Sequence, residues 1–430
     1  MAMSSPPFVA DPDLSPTTET LRMTSKNLVT HLHCPRCGLD SEPKAGTYVC
    51  PKCGANLLVD YDWDAAKKSL TRESLAANAD RTIWRYLPIL PVASALEGPP
   101  VGGTPLVEAK KLACELGLKR LLIKDDGKNP SASFKDRASA VAVQHARELG
   151  YEMVTGASTG NAASATAVLS ASVGMKARIF VPKAAPRAKI AQLVTFGAEV
   201  LAVDGTYDQA FDLCLEATRR WGWYNRNTGF NPYTREGKKT VSLEIVEALG
   251  FSVPDLVVVP VGDGNIISGV WKGFVEARKL GLIDRLPRLL AAQAEGSASI
   301  VNAFHGDGVI RAVKGDTVAD SISVSVPRDG EIAVQALRES DGLGVTVSDD
   351  DILAAIPALA RGSGIFGEPA AATGLAALKK ARAQGLVNAD WTVVMLNTGN
   401  GLKDINAAIK VAAEPRIIAA DPAVLEGLFT

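Results

Sequence analysis

Short apolar runs alternate with helical stretches along most of this chain, and that alternation limits its fold more than any other feature. The runs Tyr151–Thr155, Ala177–Val181, Glu199–Val203, Asp255–Pro260, Arg288–Ala294 and Thr392–Leu396 are five to seven residues long. They are apolar throughout rather than alternating, which predicts parallel strands covered on both faces. Between them, helical spacing predicts helices over Ala162–Val173, Ala188–Phe196, Tyr207–Trp221, Ile266–Leu280, Asp349–Ala360, Ala370–Ala383 and Gly401–Val411. No repeat of fixed period interrupts the pattern. A chain of 430 residues built this way can bury a sizeable core and hold two or three domains of the α/β class.

One strand-to-helix join stands out, Asn129-Pro-Ser-Ala-Ser-Phe-Lys-Asp-Arg137. It follows the apolar run Leu121–Asp125 and precedes Ala138–Leu149, whose apolar residues recur at helical spacing. Ser131 or Ser133 is expected to cap the helix start. Lys135 then falls in the first turn, where the helix dipole disfavours a cation by a few tenths of a kcal/mol. A lone lysine there is most often a solvated surface residue. The sharper alternation is a lysine whose charge is consumed by chemistry.

Net charge is −1, so no basic surplus points to nucleic acid, and no apolar run approaches membrane-spanning length. Met1 to Thr30 has no apolar signal core and reads as a partly disordered extension, which suggests a cytoplasmic, reducing setting. Four of the six cysteines form two Cys-Pro-x-Cys-Gly turns, Cys34–Gly38 and Cys50–Gly54, with twelve residues between Cys37 and Cys50. Such knuckles aim Cys34, Cys37, Cys50 and Cys53 at one tetrahedral Zn²⁺, and the site reads as a structural zinc ribbon. Cys114 and Cys214 lie on helical patterns and are expected to be core thiols. Tyr61 to Ala95 reads as irregular and helical, with Trp63, Trp84 and Tyr86 packing inward, before a Val101–Leu106 turn.

Three turns carry polar or glycine-rich signatures. Gly156-Ala-Ser-Thr-Gly-Asn161 opens a helix with free N–H groups and two hydroxyls, a setting for a carboxylate. Val261-Gly-Asp-Gly-Asn-Ile266 lets the backbone approach a phosphate at a helix start, with Asp263 expected to point away. It is not the dinucleotide fingerprint, because Ile267 stands where the third glycine belongs. Leu396-Asn-Thr-Gly-Asn-Gly-Leu-Lys-Asp404 places Thr398 at a strand end. Any one of these alone reads as an ordinary tight connection.

Together with Ser133-Phe-Lys-Asp-Arg137 they resemble the fold-type II pyridoxal 5'-phosphate (PLP) enzymes over residues 80–415. The resemblance implies two doubly wound parallel-sheet domains behind the amino-terminal zinc-ribbon-like segment. It divides the chain into an extension (1–30), a ribbon (31–60), a large PLP-binding domain (61–129 and 236–430) and a smaller mobile domain (130–235). It implies PLP held covalently by Lys135, whose freed amine then acts as a base. Asn161 would meet the ring oxygen, and Ser158, Thr159, Gly160 and Asn161 the substrate carboxylate. Gly262, Asp263, Gly264, Asn265 and Ile266 would hold the cofactor phosphate, and Thr398 the pyridine nitrogen.

Within that fold type the chain is similar to threonine synthases, on Ser133–Arg137, Glu236-Gly-Lys-Lys-Thr240, Thr398–Asp404 and the ribbon. Threonine dehydratases usually differ at the second and third of these. The implied reaction is γ-elimination of phosphate from O-phosphohomoserine, then addition of water at Cβ. The chain departs from the family where the substrate phosphate is gripped: Asn231-Pro-Tyr-Thr234 carries threonine at the usual arginine, with Arg235 one place later. Ala162, Thr228, Gly229 and Asn400 also differ from the pattern. Arg226, Arg235 or Lys238 are the candidates to compensate, with Arg235 and Lys238 assigned to substrate. The alternatives are a PLP-dependent β-elimination or β-replacement enzyme of dehydratase, ammonia-lyase or cysteate-synthase type, and a catalytically silent PLP-fold binding protein. A homodimer acting on a small amino acid, with no nucleic-acid or membrane partner, is expected.

Overall fold

The structure, a computed structural model, describes residues 27–185 and 187–429, so most of the expected 1–30 extension lies outside the described residues. Three sheets organise the chain. The largest has six strands in the order Leu343–Val347, Arg288–Ala294, Leu256–Pro260, Thr392–Asn397, Arg120–Asp125, Leu106–Glu108. All its pairings are parallel except the edge strand Leu106–Glu108, which runs antiparallel to its neighbour. A second sheet, ordered Glu199–Val203, Lys176–Pro182, Met153–Ala157, Tyr224–Asn225, is parallel throughout. The third is a small antiparallel sheet of Asp40–Ser41, Val29–His33 and Leu58–Tyr61.

The expectation of strands covered on both faces holds at the centre of the large sheet. Successive side chains of one strand enter opposite cores: Val257 and Val259 pack with Ile267, Val270 and Phe274, whereas Leu256 and Val258 pack with Leu290, Leu375 and Met395. Each such side chain, fully buried, contributes roughly 1.5–3 kcal/mol. The predicted helices are present with ends shifted by a few residues, and Gly401–Val411 begins as a tight turn over Gly401–Asp404 before the Ile405–Val411 helix. Among the described residues no helix is long and apolar enough to cross a membrane.

Elements that escape the sequence pattern include the helices Tyr233–Ala248, Ser299–His305 and Gly330–Glu339 and the strands Leu106–Glu108, Tyr224–Asn225 and Leu343–Val347. The first matters most, because Tyr233 to Val246 are buried although the segment is rich in charge. Glycines let it sit against its neighbours. A Cβ at Gly237 would lie 1.9 Å from the Arg137 carbonyl oxygen, and one at Gly273 would lie 2.2 Å from that of Lys239. Its charges are paired inside: Lys239 with Glu236 and Glu276 at 2.6 Å each, Arg137 with Glu244 at 2.6 Å and Asp126 at 2.6 Å. Two local expectations change. Cys114 is exposed on the Lys110–Glu115 helix rather than a core thiol, whereas Cys214 is buried. Phe134, not a serine, occupies the cap position before Lys135, and its side chain makes no capping bond.

Candidate active site

A cavity of about 380 Å³ opens at the carboxyl ends of strands from both parallel sheets. Its walls are the turns after Met153–Ala157, after Tyr224–Asn225 and after Leu256–Pro260, closed by residues 320–328. Lys135 enters it from the first position of the helix Lys135–Glu148. The turn before it is fixed by backbone bonds: Ala132, at φ +60°, donates to Asn129, and its carbonyl accepts from Asn400 at 3.0 Å. Phe134 donates to the Thr398 carbonyl at 2.9 Å, so the Thr398–Asn400 turn straps the lysine loop in place. The Ser133 hydroxyl accepts the Lys135 N–H at 3.4 Å, and Asp136 turns back to the loop, its carboxylate accepting both the N–H and the hydroxyl of Ser131 at 2.9 Å. Among the described residues the Lys135 amine has no hydrogen-bond partner. Burial pulls its pKa below the ordinary lysine value, and the Glu368 carboxylate acts in the opposite sense.

The glycine turn lies opposite. Gly264, at φ +88°, precedes the helix Asn265–Lys279, and a Cβ there would meet the Asp329 carbonyl at 2.8 Å. Asp263 lines the cavity but turns its carboxylate to the Arg328 N–H at 3.1 Å. Asn265 accepts from Lys238 and donates to Asp329 at 2.9 Å. In the third wall, Ser158 accepts from the Gly160 N–H at 3.2 Å and Asn161 donates to both oxygens of Glu368 at 3.0 Å.

Of the residues singled out in the sequence, Lys135, Ser158, Thr159, Gly160, Asn161, Lys238 and the whole Gly262–Ile266 turn line this one cavity. Arg235 does not. It is buried and bonded on every nitrogen: to Ser268 at 3.1 Å, to the Leu57 carbonyl at 3.0 Å and to Asp329 at 2.5 Å. Thr398 is also outside the lining, buried at the end of the strand Thr392–Asn397. Arg226, by contrast, lines the cavity.

The profile of the family described as pyridoxal-phosphate dependent enzyme matches residues 98–399. The chain is 39% identical over 401 residues to the threonine synthase of Methanocaldococcus jannaschii, covering 92% of this chain and 98% of that one. It is 38% identical over 403 residues to the threonine synthase of Methanosarcina acetivorans, covering 93% of this chain and 98% of that one. The chain belongs to the threonine synthase family of PLP-dependent enzymes.

In fold, the chain is similar to the processed form of threonine deaminase isoform 2 from Solanum lycopersicum, at 24% identity and TM-score 0.63, covering 82% of this chain and 93% of that one. The family segment Glu236–Thr240 acquires a physical meaning here. Glu236 takes a hydrogen bond from Tyr61 at 2.7 Å, Lys238 reaches the glycine turn, and Thr240 accepts from Arg137 at 2.9 Å. Glu368 went unnoticed in the sequence, although a glutamate before Pro369 at a helix start is a recognisable signature. Asp329, also missed, has no local signal: it gathers Asn56, Arg235, Asn265 and Ser268 from three distant segments.

The ribbon cysteines converge. Gly38 and Gly54 adopt φ near +70° and donate to the carbonyls of Cys34 and Cys50 at 2.9 and 2.8 Å. Cys34 and Cys53 sulfurs lie 3.5 Å apart, those of Cys37 and Cys50 3.6 Å, and all four lie within 4.8 Å of one another. A tetrahedron with Zn–S bonds of about 2.3 Å has sulfur–sulfur edges of about 3.8 Å. The ribbon is bonded to the body through Asn56 to Asp329 at 2.8 Å and Arg36 to Glu331 at 2.6 Å.

Proposed function

We propose that this chain is a threonine synthase, converting O-phosphohomoserine and water to threonine and phosphate. The observation that carries the reading is 39% identity to a threonine synthase across nearly the whole length of both chains. The residues in the cavity fit the cofactor: an unpartnered amine at Lys135, backbone N–H groups at the start of the Asn265 helix, and cations to match a phosphate. Lys135 would hold PLP, Gly262–Ile266 its phosphate, Asn161 its ring oxygen and Thr398 its ring nitrogen. When bound, PLP supplies an electron sink for negative charge developed on the substrate carbons.

The chain's own groups do the rest. Ser158, Thr159, Gly160 and Asn161 orient the substrate carboxylate with backbone N–H groups and hydroxyls. Lys135, its pKa lowered by burial, takes the Cα proton and then one from Cβ so that phosphate can leave Cγ, and it returns protons to Cγ and, after water has added at Cβ, to Cα. Residues 320–328 limit water to the molecule that adds at Cβ. Threonine at position 234 favours a second reading, elimination or replacement at Cβ of a substrate with another leaving group.

Four thiolates at Cys34, Cys37, Cys50 and Cys53 hold a structural Zn²⁺ in this reading. Residues 130–235 move as the smaller domain when substrate binds, and the enzyme works as a cytoplasmic homodimer. The test is a screen of purified holoenzyme against amino acids bearing phosphate, acetate or hydroxyl leaving groups. Phosphate and threonine in equal amounts from O-phosphohomoserine are expected. Keto-acid release from another substrate, with no threonine, would move the function to the second reading.

A further inference from the structure

Four cations line the cavity, and they are not equivalent. Arg328 pairs with Asp208 at 3.1 Å, and Lys238 donates to Asn265 of the glycine turn. Lys135 is the residue assigned to the cofactor. Arg226 is only 3% exposed, yet it has no carboxylate partner. Its Nε donates to the Ser139 hydroxyl at 2.9 Å and its Nη1 to the Thr228 hydroxyl at 3.0 Å. Its Nη2 is buried and has no partner among the described residues. Two hydroxyls therefore fix the plane of the guanidinium without neutralising it, and one edge is left idle.

A buried charged donor without a partner is costly, so such a group marks a place where a ligand completes the bonding. The nearby acids do not fill it: Asp136, whose charge acts on Arg226, makes no ion pair with it and accepts from Ser131, while Asp263 is turned to the Arg328 N–H and Glu368 to Asn161. The position of Arg226 separates it from the cofactor-phosphate turn. Its own N–H donates to the Thr155 carbonyl at 2.8 Å, placing it at the end of the four-stranded sheet beside the Gly156–Asn161 turn. The glycine turn closes a strand of the other sheet. An anion at Arg226 is thus on the side assigned to substrate.

Resting on the threonine synthase reading, we infer that Arg226, held in plane by Ser139 and Thr228, grips the phosphate that leaves the substrate and takes over the duty of the arginine replaced by Thr234. Thr234 itself cannot serve, because it is fully buried and its hydroxyl donates to the Asn231 carbonyl at 2.8 Å. The elimination removes a proton from Cβ, and the pair left there forms the Cβ–Cγ double bond as the Cγ–O bond breaks and phosphate leaves with the bridging oxygen and the bonding pair. The guanidinium offers that developing charge a fixed pair of donors.

The experiment compares wild-type, Arg226→Gln, Arg226→Lys and Thr228→Val holoenzymes. Inorganic phosphate binding is measured by calorimetry, beside KM for O-phosphohomoserine, PLP content and thermal midpoint. Arg226→Gln should weaken phosphate binding and raise KM by about 10- to 150-fold, the worth of one charged hydrogen bond, with PLP content unchanged. Arg226→Lys should recover part of the loss, and Thr228→Val should weaken phosphate binding several-fold. Phosphate affinity equal to wild type in a folded, PLP-loaded Arg226→Gln protein overturns the inference. If that variant does not fold, unchanged affinity in Thr228→Val overturns it. Loss of PLP in step with loss of phosphate also overturns it, by moving Arg226 to the cofactor. A wild type that binds phosphate through Arg226 yet makes no threonine sinks the proposed reaction and leaves the anion site standing. Threonine made with a KM indifferent to Arg226 does the reverse.

Discussion

Arg226 and Arg235 are nine residues apart in the chain, both are buried, and their surroundings are opposite in kind. Arg235 sits under the ribbon with a carboxylate, a carbonyl and a hydroxyl on its three nitrogens. Arg226 faces the cavity with two hydroxyls and an idle nitrogen. A buried cation satisfied wholly by the protein is part of the scaffold, whereas one left short of partners is built for something that arrives later. Lys239 and Lys135 repeat the contrast: the first is enclosed by Glu236 and Glu276, the second has no bonded partner.

The contrast breaks most visibly at Lys135. Lys135→Ala should cost at least about a thousandfold in turnover and abolish borohydride fixation of cofactor to the chain, with little change in thermal midpoint. A variant that still fixes cofactor places the attachment elsewhere. Next in size, Arg235→Ala should lower stability by about 3–5 kcal/mol, because it strands the buried Asp329 carboxylate. Denaturant midpoints check this, and KM for O-phosphohomoserine in the folded fraction should stay near wild type. A raised KM at full stability would erase the distinction between the two arginines.

A smaller effect tests the ribbon's share. Metal analysis should find about one zinc per chain, and chelation should unfold the ribbon before the body while weakening PLP binding by up to about tenfold. The route is Asn56 and Arg235 acting on Asp329, which holds Asn265 of the glycine turn. Serine at all four cysteines with metal retained would exclude the site. The smallest effect concerns His145, wedged against Tyr233 and bonded to Tyr224 at 3.0 Å, each two places before one of the arginines. Burial lowers its pKa from 6.5 to about 3. Between those values the unfolded chain binds a proton that the folded chain refuses, so stability falls as pH falls, by at most about 1.4 kcal/mol per pH unit. His145→Phe should flatten the difference in denaturant midpoint between pH 5 and 7, and an unchanged difference would exclude His145 as its source.

What the sequence made legible was local. The ribbon needs only Cys34 to Cys53 and two glycines, and the central strands need only a run of apolar residues such as Leu256–Val259. The helix Tyr233–Ala248 was hidden because its charges are paired with partners far along the chain, from Tyr61 to Glu276, and so look like a solvated surface. The choice between Arg235 and Arg226 was hidden for a geometric reason. One residue along a helix turns a side chain by about 100°, so an arginine moved from position 234 to 235 faces another direction. Here that direction is Asp329. Arg226 acquires its role from the pairing of Tyr224–Asn225 beside Met153–Ala157, a contact across some seventy residues of chain that no local pattern encodes.

The central claim, elimination of phosphate followed by addition of water, is tested most directly by the fate of oxygen. Holoenzyme given O-phosphohomoserine in oxygen-18 water should yield threonine with the label in its hydroxyl group and phosphate without it. The carbon–oxygen bond at Cγ is the one that breaks, and the new hydroxyl comes from solvent. Label in phosphate, with homoserine as the carbon product, would mean attack of water at phosphorus and would contradict the account.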